Sequence, residues 1–130
     1  MEFLSRQYAD VLVAAPLGRI DHAASASLEQ RLVPLVADAG TRLAGVVLDF
    51  GGVVYISSVG LRVLMIASKS MRAQGKPISV AALQPVVSEI FTISRFDKVL
   101  PVFSSVRDAL ANVSPAAQRA FDADPESPRA

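Results

Sequence analysis

The chain has 130 residues, 52% of them hydrophobic and 19% charged, which is the length of one domain and apolar enough to bury a core rather than stay disordered. Its 13 basic and 12 acidic residues give a formal charge of +1, which excludes the strong basic field that draws in nucleic acid or an anionic membrane. With no cysteine and one histidine, it lacks a disulfide, a thiol nucleophile and the ligands for structural zinc.

Glu2, Arg6 and Asp10 interrupt the first apolar positions, unlike a secretory signal. No charge-free apolar run in the chain approaches the roughly 18 to 20 residues of a spanning helix. The expectation is a soluble, cytoplasmic domain. Phe3 to Ser5 suits a short edge strand, and Tyr8 to Ala15, rich in Val and Leu, suits a second strand that stops at Pro16. Leu28, Leu32, Leu35 and Val36 then recur at helical spacing within Ala23 to Ala39, with Asp21 as N-cap, Gly40 as stop and Pro34 as the one obstacle. Gly45 to Phe50 reads as a buried strand that runs into the Gly51-Gly52 turn.

The next helix has the clearest pattern. From Ser58 onward, Leu61, Leu64, Met65, Ser68 and Met71 line one face, while Arg62, Lys69 and Arg72 lie on others. Gln74-Gly75-Lys76-Pro77 ends it. Ile78 to Leu83 is predicted as a strand, Pro85 to Ile93 as a helix with proline in its first turn, and Val99 to Phe103 as the last strand. Ser104 to Asn112 closes the domain as an amphipathic helix capped by Ser104 or Ser105. Residues 114–130, with three prolines and several charges, are expected to form a mobile tail, of which Phe121 could pin a short helix to the domain. Alternating strands and helices imply an α/β domain over residues 1–113, with a largely parallel sheet covered by helices on at least one face.

The serine pair Ser57-Ser58 before an apolar periodic run reads first as a helix cap, and second as an anion site where unpaired N–H groups favour negative charge. Other chemistries find less support. Asp49 would need an acidic pair after the first long strand to hold Mg²⁺ as a phosphoacceptor, and Ala14-Ala15-Pro16 supplies none. Gly51-Gly52 is not followed by the Gly-Lys-Ser/Thr of a phosphate loop. Without a nucleophile–base pair or a metal cluster, an enzyme is not expected, and no cofactor or metal is called for.

Asp49 to Leu64, DFGGVVYISSVGLRVL, resembles the signature of STAS domains: a strand ending in an acid, a glycine turn, an apolar pair, a serine, then a Gly-Leu helix start. Leu17 to Asp21, Gly75 to Ile78, Leu83 to Phe91 and Ser94 to Val99 resemble the family's other elements in order, so the likeness covers roughly residues 8 to 112. It implies a single STAS domain, with a mixed four- to five-stranded sheet and helices packed mainly on one face.

Within that family the chain is most similar to the anti-sigma factor antagonists. This implies that Ser58 is the phosphoacceptor, with Ser57, which stands where the family pattern has an acid, as second choice. The implied partners are an anti-sigma factor with serine kinase activity and a serine phosphatase, with no direct contact to nucleic acid. Asp21, His22, Ser57, Gly60, Leu61 and Arg62 are the implied docking residues. The alternative is a non-switching STAS subunit of a signalling scaffold or lipid-transport complex, in which Ser58 merely caps its helix.

Overall fold

In a computed structural model that describes residues 1–128, β1 (Phe3–Tyr8) and β2 (Val11–Pro16) form an antiparallel hairpin. The strand expected over Tyr8 to Ala15 is therefore divided at its start. Ala9 turns the chain with a left-handed φ of 53°, and its carbonyl is pinned by Gln7 Nε2 at 2.8 Å.

Three further strands extend the sheet from β2, all parallel to it: β4 (Gly45–Asp49), β6 (Ile78–Ala81) and β7 (Val102–Phe103), in the order β1-β2-β4-β6-β7. A separate two-stranded parallel sheet pairs β3 (Gly18–Ile20) with β5 (Val53–Ile56). The last strand is shorter than expected because Phe96–Lys98 forms a 3-10 turn behind Arg95, which has a φ of 58°. Pro101 then precedes β7 and has no N–H to give to the ladder.

Helices cross between the parallel strands: α1 (His22–Arg42), α2 (Ser58–Ala73) and α3 (Pro85–Ile93). Strand residues alternate between the two faces of the main sheet. Leu12, Val46, Leu48 and Val80 join the core under these three helices, while Val11, Val13, Val47 and Ala81 belong to a second cluster. That second face is covered by α4 (Val106–Val113), capped by Ser105, and by α5 (Pro115–Ala123). Three helices thus pack on one face and two shorter ones on the other.

Within the segment expected as a tail, Pro115–Ala123 forms the short helix α5, which Ser114 caps and Phe121 pins to the domain by burial against Tyr8, ring centroids 5.3 Å apart. Burial of one aromatic ring in the second core, with an Arg6–Asp124 ion pair at 2.6 Å beyond it, outweighs the polar composition of the segment. The last two positions of the expected tail lie outside the described residues.

Gly40 does not stop α1. It is buried inside the helix, which runs on to Arg42 and ends when Leu43 turns extended and donates to the Ala39 carbonyl. Pro34 is accommodated because it lies on the exposed side of α1, where the carbonyl it leaves unbonded can meet water.

Candidate functional site

The small β3–β5 sheet positions the site. Both strands are parallel, and Ile20 is in register with Ile56. The next residue in each case, Asp21 and Ser57, is the N-cap of a helix. The two caps adopt nearly the same backbone, φ −83° and ψ −174° for Asp21 and φ −82° and ψ 168° for Ser57. Each does the same work: Asp21 Oδ1 accepts from Ala24 N at 2.9 Å, and Ser57 Oγ accepts from Gly60 N at 3.1 Å. Ser57 N donates to the Ile20 carbonyl at 2.8 Å, and Ser25 Oγ, which donates to the Asp21 carbonyl, lies 3.4 Å from Ser57 Oγ. Two helix N-termini, each with the positive end of its peptide dipoles, are therefore tied together at one surface.

Gly60 makes this arrangement possible. A Cβ there would sit 2.8 Å from both Ile20 Cγ2 and Ile56 Cγ1, closer than real side chains approach. The residue is buried, and Leu61 beside it is 8% exposed. Of the docking residues implied by the sequence, Gly60 and Leu61 are thus held inside, where they set the position of α2. Asp21 and Ser57 are half-buried and occupied as caps, His22 is exposed on the first turn of α1, and Arg62 is exposed one turn into α2.

The two serines differ. Ser57 is part-buried with its hydroxyl engaged, whereas Ser58, the first residue of α2, is exposed and its hydroxyl makes no hydrogen bond among the described residues. The N–H groups of the first turn that Ser57 does not cap point the same way and have no partner inside the helix. An anion on Ser58 would meet them.

Several neighbours escaped the sequence reading. Arg19 stacks over the Tyr55 ring at 4.6 Å, on the opposite side of the small sheet from the buried Ile20 and Ile56. Val54 on β5 and Val59, next to Ser58 on α2, are exposed, as are Val86 and Ile93 on α3, which packs against β5. The alternation of Arg19 with Ile20 was the only local signal, and it could be read only once β3 was known to pair with β5. Asp49 is engaged in its own turn, accepting from Gly51 N at 2.9 Å. The displaced titrations lie elsewhere: Asp124 is held below the ordinary carboxylate range, first by the Glu126 N–H and further by Arg6 and Tyr8.

Residues 3–109 match the STAS domain family, and the chain belongs to it. Two of its curated relatives carry names of the anti-sigma factor antagonist kind. It is 40% identical over 101 residues to one called BtrV from Bordetella bronchiseptica, covering 78% of this chain and 84% of that one. It is 33% identical over 96 residues to the anti-sigma-F factor antagonist RsfB of Mycobacterium tuberculosis, covering 74% of this chain and 75% of that one. The crystal structure of an anti-sigma factor antagonist from Mycobacterium paratuberculosis superposes with a TM-score of 0.77 at 27% identity, covering 86% of this chain and 92% of that one. No described helix is long and apolar enough to cross a membrane.

Proposed function

We propose that the chain is a phosphorylation-controlled anti-sigma factor antagonist of the cytosol, and that the joined N-termini of α1 and α2 are its docking surface. The unmodified protein binds an anti-sigma factor that is also an ATP-dependent serine kinase, and so frees the sigma factor. Transfer of the γ-phosphoryl group of ATP to Ser58 Oγ, with loss of the hydroxyl proton, reverses binding, and a serine phosphatase restores the hydroxyl. The base, the nucleotide site and Mg²⁺ belong to the kinase, so this chain is a substrate and a binding module.

The observation that carries this reading is the division of labour between the serines. Ser57 spends its hydroxyl on the cap, which leaves Ser58 exposed and uncommitted one residue later. Modification of Ser57 would remove the cap and disturb the contact with Ser25, which makes it the second candidate. His22, Arg62 and Val59 offer a mixed polar and apolar rim, and the kind of relative found supports the choice of partner. Phosphate adds about −1.5 to −2 charges at neutral pH. Burying such a charge unpaired at an interface costs several kcal/mol, and about 1.4 kcal/mol is already tenfold in affinity.

The test is incubation with the candidate kinase and ATP, followed by mass mapping. Phosphate is expected on Ser58, with Ser58→Ala still bound to the partner and Ser58→Asp released. Ser58→Asp binding as tightly as wild type would sink the switch.

A further inference from the structure

Arg62 is exposed on α2, and its guanidinium makes no hydrogen bond or ion pair among the described residues. No residue of its own helix can claim it, because α2 contains no Asp or Glu. On neighbouring elements, the Asp21 carboxylate is spent on its cap, Arg19 is stacked on Tyr55, and His22, Glu29 and Glu89 are exposed.

Ser58 stands four residues before Arg62. Positions i and i+4 of a helix lie one above the other, with Cβ atoms about 5 to 6 Å apart. The Cα–Cβ bonds tilt toward the helix N-terminus, so a long side chain at 62 reaches back over the turn that holds Ser58. An anion N-terminal to its cation is also the favourable order for such a pair, since it agrees with the peptide dipoles. The cap between them and the small sheet is a neutral serine, so no fixed carboxylate at position 57 opposes a phosphate.

We propose that Arg62 is the intramolecular counter-ion of phosphoserine 58, its planar guanidinium donating to the phosphoryl oxygens. This deepens the reading of Ser58 as the modified residue and rests on it. Phosphorylation then alters the docking surface twice, by adding a dianion and by withdrawing an exposed cation from the partner.

The test uses the full-length protein with phosphoserine placed at position 58 during synthesis, so it does not depend on any kinase. Phosphorus NMR follows the second ionisation of the phosphate with pH. A cation that binds the dianion more tightly than the monoanion lowers that pKa. It is expected to lie at least about 0.3 unit lower than in Arg62→Gln, a twofold change in proton affinity and the scale of an exposed i,i+4 pair. The gap should close in 1 M salt, where the screening length falls to about 3 Å.

Identical titration of the two proteins overturns the proposal. So does a lowering abolished by His22→Gln and untouched by Arg62→Gln, which would make the histidine the counter-ion. Tight partner binding by the phosphoserine protein, with the Arg62 effect intact, would instead overturn the functional reading and leave the pairing standing.

Discussion

Replacing either of two helical glycines by alanine should move stability in opposite directions. At Gly60 the new methyl group would lie 2.8 Å from Ile20 Cγ2 and from Ile56 Cγ1, and 3.3 Å from Ile56 Cδ1. Both isoleucines are essentially unexposed and β-branched, with few alternative rotamers, so α2 itself must move away from the small sheet. Overpacking of this kind costs about 1 to 3 kcal/mol, while alanine returns about 0.5 to 1 kcal/mol through its better helix propensity. The net loss spans about 0 to 2.5 kcal/mol and centres on about 1 kcal/mol.

At Gly40 the nearest atoms the methyl group would meet are those of the Gln74 side-chain amide, the far end of a flexible chain. Swinging that amide aside gives up a long 3.4 Å hydrogen bond to the Ala37 carbonyl, about 0.5 kcal/mol, against the same propensity gain. Gly40→Ala should therefore lie between unchanged and about 0.5 kcal/mol more stable. Urea unfolding reads the difference. With a slope of about 1.5 kcal/mol/M, the two midpoints should separate by roughly 1 M. If Gly60→Ala unfolds at or above the wild-type midpoint, α2 does not approach Ile20 and Ile56 as described, and the account of how the site is held fails.

Ser57→Ala should lose about 1 kcal/mol by urea unfolding, since it removes the α2 cap, whereas Ser58→Ala should stay within about 0.5 kcal/mol of wild type. Phe121→Ala should lose about 3 kcal/mol and lower the melting temperature of the whole domain, because the ring fills the second core against Tyr8. If that variant melts like wild type, α5 is not part of the folded unit. The Asp124 pKa is depressed in the folded chain, so its interactions contribute above the ordinary carboxylate pKa of about 4 and are lost as pH falls through the depressed value. Melting curves of wild type and Asp124→Asn should thus diverge near neutral pH and converge in acid.

What could be read beforehand follows from the range of the interactions. Helix α3 was legible from Pro85 to Ile93 because proline at its start and apolar spacing act within one element. The Asp21 cap was equally local. The β3–β5 pair was missed, since β3 has three residues and a glycine, and only pairing with a partner some 35 positions away makes it a strand. Gly40 misled for a related reason: its local meaning is a helix stop, but its place under Gln74 is fixed by the packing of α1 on α2. At the site, the family resemblance singled out the serine pair. Which serine caps and which is free depended on where the helix begins, and boundaries are the least legible feature of a sequence.

Placing the free serine at the first position of a helix separates the stability of the domain from the affinity of its surface. A negative charge at Ser58 meets the positive end of α2, a gain of about 0.3 to 1 kcal/mol, and disturbs no buried side chain because the residue is exposed. Folding entropy for a chain of this length converts about 0.5 kcal/mol into roughly 2 °C. Ser58→Asp should therefore melt at or slightly above the wild-type temperature in calorimetry while losing its partner. The pairing of those two results is what distinguishes a switch from damage. A Ser58→Asp protein that loses its partner and also melts several degrees lower would have lost binding through unfolding of α2, and the charge at the surface would explain nothing.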